Sequence, residues 1–225
     1  MTGPNPTIAM SRYAAEIYRL QEHHEYVGLT ELSSEVDASL QATSRMIARL
    51  REGGFLEHEP YKGVRLTELG QQIAMPAIRR HRLAELFLVR QMGFGWDEVH
   101  DMTDRFEQGI SDEIEDRIFQ VLGEPARCPH GEPIPPREGP MPQLDDISLT
   151  RMPAARSYVV SRVRVHDPAR LRYVADLGLL PGAHFDLVSF SPFEGPVRIR
   201  VQRSEQVISY DLASALWVFQ NDPAQ

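Results

Sequence analysis

Hydrophobic and polar residues follow a helical period through the first half of the chain and a two-residue period through its last third. In the first segment Met10, Ala14 and Ile17 share one helix face, with Tyr18 beside them. The pattern up to residue 67 predicts three helices and then two short strands, at 9–24, 30–36, 39–52, 55–58 and 64–67. Three helices followed by a hairpin are typical of a winged helix-turn-helix domain, whose third helix enters the major groove of DNA.

Three more helices are predicted in the middle of the chain, at 68–92, 96–109 and 111–122. Pro76 lies inside the first of them and predicts either a kink or a new helix start, because proline lacks the amide proton that a helix interior uses. Ser111 is placed to cap the third helix, with Asp112 and Glu113 in its first turn.

A proline-rich segment separates these helices from the rest of the chain. Residues 123–147 hold seven prolines and three glycines, and we expect a connector with no helix or strand of its own. Alternating apolar residues beyond it predict five short strands, interrupted by one helix, at 158–165, 169–177 (the helix), 185–190, 197–201, 207–210 and 215–219. Short strands of this kind, separated by Pro and Gly turns, suggest a small β-barrel.

Composition limits the class of protein. A chain of 225 residues with 42% hydrophobic and 25% charged residues is typical of a globular protein with one large or two to three small domains. We see no apolar run near the roughly 18 residues of a membrane span and no signal peptide pattern. Cys128 is the only cysteine, which excludes an intrachain disulfide and fits a reducing cytoplasm. We therefore expect a cytoplasmic protein without a membrane partner.

The distribution of charge changes this picture more than its total does. The net charge of -8 argues against a nucleic-acid binder, yet residues 39–51 contain three arginines and no acid. Residues 97–116 contain nine acids against Arg105 alone. Such a concentration of negative charge repels itself and is relieved by a bound cation. The alternative is a solvated acidic helix surface.

Spacing among the polar residues of the middle helices indicates a metal site. His81 and Glu85 are four residues apart, and a second set follows at offsets of zero, four, seven and eight, namely His100, Asp104, Glu107 and Gln108. On helices these spacings place each set on one face. Two imidazoles and three carboxylates suit a divalent transition metal. The alternative is a set of weak surface ion pairs, and for Cys128 and His130 in the connector we expect a packed turn rather than a metal contact.

Residues of the third helix and the hairpin suit contacts with double-stranded DNA. Gln41 and Arg45 match adenine and guanine edges, and serine and threonine hydroxyls match phosphates or bases. Tyr61 and Lys62 at the hairpin tip are placed for phosphate contacts. The full set of expected DNA contacts is Ser39, Gln41, Ala42, Thr43, Ser44, Arg45, Arg49, Tyr61 and Lys62. The alternative is a structural three-helix unit with a polar face.

Five segments in order resemble the diphtheria toxin repressor family of metal-dependent regulators. They are H-R-L-A-E at 81–85, V-H-D at 99–101, S-D-E-I-E-D-R-I at 111–118, C-P-H-G-E-P-I-P at 128–135 and L-G-L-L-P-G at 177–182. The resemblance implies an α+β multi-domain chain with a C-terminal SH3-like β-barrel. Its implied divisions are a winged helix-turn-helix domain, a helical metal-binding and dimerisation domain, a connector and an SH3-like domain, at 1–75, 76–123, 124–147 and 148–225.

The resemblance also implies two metal sites, carried over position by position. His81, Glu85 and His100 match an ancillary site, whereas Asp104 and Glu107 match two positions of a primary site. Asp104 stands where iron-sensing members have cysteine and manganese-sensing members have glutamate, so Mn²⁺ is favoured and Fe²⁺ is the alternative. One further ligand is expected near His166 or Asp167, where relatives supply one from the SH3-like domain.

Two departures from the family pattern affect the primary site. Gln108 replaces a ligating histidine, and Arg12 replaces a methionine or aspartate. An amide oxygen ligates weakly and a guanidinium cannot ligate at all. We therefore expect the ancillary site, formed by His81, Glu85 and His100, to bind metal more strongly than the primary site.

The function implied is that of a cytoplasmic, homodimeric, metal-dependent repressor, not an enzyme, that binds a palindromic operator and controls metal-uptake genes. One alternative is a winged-helix regulator whose site no longer responds to metal. A second is a metallohydrolase, although the chain offers no H-E-x-x-H, nucleophile elbow or phosphate loop. A third is an adaptor that acts through the SH3-like domain.

Overall fold

The computed structural model describes residues 6–21 and 24–220, without the side chain of Asp101. The chain divides into two compact units. The first comprises Met1–His81 with Pro135–Met141, and the second comprises Arg82–Ile134 with Pro142–Gln225.

The first unit contains the predicted three helices and hairpin, with bounds α1 Ile8–Leu20, α2 Leu29–Glu35, α3 Leu40–Glu52, β1 Leu56–Glu59 and β2 Gly63–Leu66. The two strands pair antiparallel, as a wing requires. Its core is formed by buried residues of all five elements and of the start of the next helix, including Met10, Ile17, Leu32, Leu50, Leu56, Val64 and Ile78. The predicted helix 9–24 is too long: α1 ends at Leu20, and residues 22 and 23 lie outside the described part of the chain.

Gln21 explains where α1 stops. Its side-chain amide donates to the carbonyl of Glu25 at 3.1 Å, and its side-chain oxygen accepts from the amide of Leu66 in β2 at 3.0 Å. These bonds tie the chain leaving α1 to the wing, and they replace the helical continuation that the apolar pattern predicted.

Helix α4 runs without a break from Glu68 to Met92, with Pro76 inside it. The expectation of a new helix start at Pro76 is therefore wrong. Pro76 is exposed, so its ring occupies the solvent side of the helix. His81 and Arg82, where the two compact units divide, are consecutive residues of this one helix.

The helical part of the second unit follows with α5 Val99–Phe106, a 3-10 turn at Glu107–Gly109 and α6 Asp112–Val121. Helix α5 begins three residues later than predicted, because Gly95 and Glu98 close a turn through two hydrogen bonds of 3.1 and 3.2 Å. The predicted cap of α6 is confirmed, since Oγ of Ser111 accepts from the amide of Ile114 at 3.4 Å.

The C-terminal part is a six-stranded antiparallel sheet in the order β3-β8-β4-β5-β6-β7. Its strands and helices are β3 Ile147–Ser148, β4 Arg156–Val163, α7 Pro168–Asp176, β5 His184–Phe190, β6 Val197–Val201, β7 Ser204–Ile208, α8 Tyr210–Ala215 and β8 Leu216–Gln220. The five predicted strands and the predicted helix are present, but the strand predicted at 207–210 is shifted, since β7 ends at Ile208 and Ser209 caps α8. Strand β3 and helix α8 were not predicted, because two and six residues are too short to show a period.

Within the described residues, the connector from 123 to 146 contains neither helix nor strand, and its last predicted residue, Ile147, begins β3. It is nevertheless packed, since residues 130–135 are all buried. Among the described residues, none of the helices has the length and apolar character needed to cross a bilayer.

Candidate functional site

A buried carboxylate, Glu85, lies at the centre of the candidate metal site. Helix α4 carries Glu85 one turn after His81, so both side chains lie on one face, and both are buried. Helix α5 brings His100 to the same carboxylate, with His100 Nδ1 3.3 Å from Glu85 Oε1. An imidazole and a carboxylate at this distance share a proton or bind a common cation.

The connector supplies two more potential ligands, Cys128 and His130, both buried. Nδ1 of His130 lies 3.7 Å from the second carboxylate oxygen of Glu85. Its Nε2 lies 2.8 Å from the carbonyl oxygen of Trp96, to which it donates. A histidine that donates from one nitrogen presents the other as a ligand, so Trp96 directs Nδ1 of His130 toward Glu85.

Among the described residues, the His, Cys, Asp and Glu side chains form three groups that could hold a metal ion. They are His81–Glu85–His100, Glu85–Cys128–His130 and His81–Asp104–Glu107, and within each group the ligand atoms lie within 4.8 Å of one another. The first group is the ancillary set that the family resemblance implied. The third joins His81 to Asp104 and Glu107, which the resemblance assigned to the other site. The second contains Cys128 and His130, for which the sequence favoured a packed turn over a metal contact, and its link to Glu85 was not predicted.

The surroundings of His130 favour its charged form. Burial would lower its pKa, but hydrogen bonds and electrostatic interactions with Cys128 and Glu85 raise the pKa well above its usual value of 6.5. A positive charge is therefore stabilised at this position, where a bound cation would also be stabilised.

Asp104, Glu107 and Gln108 do not lie on one continuous helix. Helix α5 ends at Phe106, so Glu107 and Gln108 belong to the 3-10 turn. Asp104 and Gln108 are exposed, and Glu107 is half-buried. Arg12 lies on the exposed side of α1.

His166 and Asp167 take different roles in the structure. The ring of His166 lies 5.1 Å from the ring of His100, centre to centre, so it is beside the candidate site. Asp167 instead caps α7, because its Oδ1 accepts from the amide of Arg170 at 2.8 Å. Of the two, His166 is the residue that geometry brings to the site.

The donor atoms fit a divalent transition metal. Imidazole nitrogens and carboxylate oxygens suit Mn²⁺ and Fe²⁺, and the thiol of Cys128 adds a softer ligand that Fe²⁺ tolerates better than Mn²⁺. The exposed acids around α5 and α6 add negative charge to this region of the chain. A dication bound there would offset that charge.

The candidate DNA-reading helix, α3, exposes most of the residues predicted for it. Gln41, Ser44, Arg45 and Arg49 are exposed, and Ala42 is half-buried. Ser39 is also exposed, but its Oγ already accepts from the amide of Ala42 at 3.3 Å as the helix cap.

Thr43 is the exception among the predicted DNA contacts. It is 0% exposed, and its Oγ1 has no hydrogen-bond partner among the described residues. It therefore packs into the domain core and is not available to DNA. Its polar character suggested the surface, whereas its position in the helical period placed it with Leu50 on the buried face.

The wing places Tyr61 and Lys62 at its tip. Tyr61 is fully exposed and has a positive φ of 67°, which directs its side chain out of the hairpin. The ammonium of Lys62 lies 5.3 Å from the centre of the Tyr26 ring, so the wing holds a cation at a defined position.

Three family models match consecutive parts of the chain. The N-terminal DNA-binding domain of iron-dependent repressors matches residues 7–64, and the metal-binding and dimerisation domain of these repressors matches residues 67–136. A FeoA domain matches residues 147–219.

Curated relatives and solved structures agree with these matches. The iron-dependent repressor IdeR of Mycobacterium tuberculosis is 32% identical over 219 residues, covering 92% of this chain and 94% of the relative. The diphtheria toxin repressor of Corynebacterium glutamicum is 28% identical, covering 92% and 93%. A manganese-dependent transcriptional repressor solved in complex with manganese is similar with a TM-score of 0.85 and 31% identity, covering 94% of this chain and 99% of that one.

Proposed function

This chain belongs to the iron-dependent repressor family, and from that membership we propose that it represses transcription in response to manganese, with ferrous iron as the alternative ion. It is a metal-dependent DNA-binding regulator and not an enzyme. The observation that carries the proposal is the buried Glu85 carboxylate, with His100 on one side and His130 on the other. A buried carboxylate that faces two imidazoles is a ready-made cation site.

We assign the ligands in two sets. His81, Glu85 and His100 form the principal site, and Cys128 and His130, which are grouped with the same Glu85, add two further ligands to it. Asp104 and Glu107, with the amide of Gln108, form the second and weaker site. His166 supports the principal site beside His100, and Asp167 acts by capping the helix that follows His166.

Manganese is favoured by the hard oxygen ligands. Asp104, Glu107 and Glu85 offer carboxylates, and Mn²⁺ prefers carboxylate over thiolate. The buried thiol of Cys128 keeps Fe²⁺ as the alternative, because Fe²⁺ accepts softer ligands. A solved relative bound to manganese and a curated iron-dependent relative are both similar to this chain.

Double-stranded DNA is read by α3 and held by the wing. Gln41 and Arg45 face bases, and the remaining contacts come from Ser39, Ala42, Ser44, Arg49, Tyr61 and Lys62. Helix α6 leaves Ile114 and Val121 exposed, which is apolar surface that a second copy would cover in a homodimer. A two-fold dimer reads a palindromic operator whose half-sites lie roughly 34 Å apart, or a multiple of that distance.

The residues of the chain supply the switch. Without a cation, the carboxylates of Glu85, Asp104 and Glu107 add to a concentration of like charge. A bound dication supplies the positive charge that allows these groups to approach, and this fixes the helices that carry them. We infer that the fixed geometry sets the separation of the two α3 helices in the dimer, and a coupling of about 1–3 kcal/mol is enough for a useful switch.

This function divides the chain into a DNA-binding domain at 1–75, a metal-binding and dimerisation domain at 76–123, a connector at 124–147 and an SH3-like domain at 148–225. The regulator would act in the cytoplasm on metal-uptake genes.

Fluorescence anisotropy on promoter fragments of metal-transport genes tests the proposal. Titrations with and without manganese, and then iron, are run at one fixed salt concentration, because phosphate contacts make affinity salt-dependent. We expect the affinity to rise at least about tenfold with metal. Tight binding that is indifferent to both metals would identify a regulator that does not respond to metal.

A further inference from the structure

The connector turn, residues 127–132, is attached directly to strand β4. The amide of Val163 donates to the carbonyl of His130 at 2.9 Å, and Arg127 donates to Oγ of Ser161 at 3.0 Å. Within the turn, the amide of Cys128 donates to the carbonyl of Glu132 at 2.9 Å. The backbone that carries Cys128 and His130 is therefore held by the six-stranded sheet of β3 to β8, here called the SH3-like sheet.

Gly131 allows this close attachment. Its φ is +87°, and a Cβ atom at this position would lie 2.2 Å from the carbonyl oxygen of Ser161. Only glycine fits, because any side chain would meet β4 backbone. The turn and the strand consequently have one defined arrangement.

Glu132 anchors the turn from its other end. Its buried carboxylate, only 8% exposed, is bridged by Arg82 at 3.3 Å, by Arg162 at 3.1 Å and by Arg164 at 3.3 Å. The guanidinium groups of Arg162 and Arg164 lie 4.5 and 4.2 Å from the centre of the Trp217 ring. Burial alone would raise the pKa of Glu132, but the three guanidinium charges outweigh burial and lower that pKa.

The three arginine partners of Glu132 come from two different elements of the second unit. Arg82 belongs to α4, three residues before Glu85, whereas Arg162 and Arg164 belong to or directly follow β4. One carboxylate thus joins the helix that carries the central metal ligand to the strand that holds the connector turn. Burying three cations around an anion is costly unless all are paired, so these contacts form or break together.

We propose that Glu132 is a positioning residue for the metal site, which holds the connector turn so that Cys128 and His130 face Glu85. The inference rests on the proposed function and adds a regulatory consequence to it. Metal occupancy at Glu85 and attachment of the SH3-like sheet to α4 become linked, so each strengthens the other.

Cobalt substitution in the full chain tests this role. Co²⁺ bound to a thiolate gives a charge-transfer absorption band, and Cys128 is the only cysteine, so the band reports Cys128 alone. The Cys128→Ser variant confirms the assignment by losing the band. The test variant is Glu132→Gln, which keeps the shape and removes the charge. The matched control is Glu205→Gln, an exposed carboxylate that pairs with Arg200 in the same sheet.

We expect the wild type and Glu205→Gln to show the band, and Glu132→Gln to lose most of it. Cobalt affinity of Glu132→Gln should fall about tenfold, as is usual when the support of a ligand is removed. Residual binding should persist through His81, Glu85 and His100, which a merely unfolded variant would not show. Thermal unfolding without metal reports whether each variant is folded.

A Glu132→Gln variant with the wild-type band and affinity overturns the inference and leaves the proposed function standing. A wild type that binds neither cobalt nor manganese overturns the proposed function itself. If Glu132→Gln does not fold, Gly131→Ala replaces it, because its added methyl group displaces the turn from β4 without changing charge. Gly131→Ala should lose the band in the same way, and an unchanged band in that variant counts against the inference.

Discussion

Oε1 of Glu85 lies 3.3 Å from Nδ1 of His100, although the two residues are 15 positions apart and belong to different helices. Neither partner is at the protein surface as a simple solvated charge, because Glu85 is buried and His100 is half-buried. A weak surface ion pair does not require such burial. The pair therefore supports a cation site rather than a solvated helix face.

The two proposed sites are ranked by comparing His100→Ala with Glu107→Ala. Among the described residues, His100 is grouped only with Glu85 and His81, and Glu107 only with Asp104 and His81, so His81 belongs to both groups and cannot separate them. We expect His100→Ala to weaken manganese binding at least about tenfold and Glu107→Ala to weaken it less. Calorimetric titration measures both. Full affinity in His100→Ala together with loss in Glu107→Ala would reverse the ranking.

Operator recognition should depend on Arg45. Its exposed position on α3 suits a guanine edge, and such a contact is worth about 1–3 kcal/mol. Arg45→Ala should therefore weaken operator binding by about that amount and reduce discrimination between operator and altered sequences. The control is Arg51→Ala, in the last turn of the same helix. Equal losses for the two variants on all sequences would mean that Arg45 supplies charge only.

Thr43 should affect stability and not DNA affinity. Its buried Oγ1 has no partner in the described part of the chain, so Thr43→Val exchanges an unsatisfied hydroxyl for a methyl group of similar size. We expect the free energy of unfolding to rise by about 1 kcal/mol. Urea unfolding measures it, and anisotropy should show unchanged operator affinity. A loss of operator affinity in a stable Thr43→Val variant would return this residue to the DNA interface.

Metal binding should release protons near neutral pH. The pKa of His130 is raised well above 6.5 in the metal-free chain, so its imidazole keeps its proton to a higher pH than an ordinary histidine and must lose that proton to ligate. Manganese affinity should consequently rise with pH until that raised pKa is passed. Calorimetry in buffers of different ionisation enthalpy counts the protons released. The His184→Ala control, which removes an exposed histidine of β5, should release as many as the wild type, and a buffer-independent enthalpy would show that none is released.

The same shift affects the metal-free fold with a definite sign. A raised pKa means that protonated His130 stabilises the folded chain below the pKa of the unfolded state, and this contribution is lost as pH rises through the folded pKa. The metal-free protein should therefore lose stability over the pH range in which its metal affinity increases.

Local patterns predicted the elements of the fold well where those elements are long. Helices α3 and α4 show several periods of apolar residues, so their existence followed from the sequence. Strand β3 forms by pairing with β8, which is distant in the sequence, and α8 is a six-residue helix capped by Ser209. Neither element is long enough to show a period of apolar residues. The end of α1 was missed because Gln21 bonds to β2, a contact far away in sequence.

The candidate site was predictable to the extent that its residues share helices. His81 and Glu85 follow from i,i+4 spacing on α4. Cys128 and His130 reach Glu85 only because the connector packs back toward α4, which no local pattern contains. Thr43 was predicted as a DNA contact because its side chain is polar, although the helical period placed it on the buried face, where the structure has it.

The most direct test of the central claim is the manganese affinity of the full chain measured with and without a saturating operator duplex. If metal binding and operator binding are coupled in one equilibrium, the duplex must tighten manganese binding by the same factor by which manganese tightens duplex binding. For a typical coupling this factor is about 5- to 150-fold. A matching factor is the result that we predict. Manganese affinity that is the same with and without the duplex would contradict the account, because metal binding would then have no influence on DNA binding.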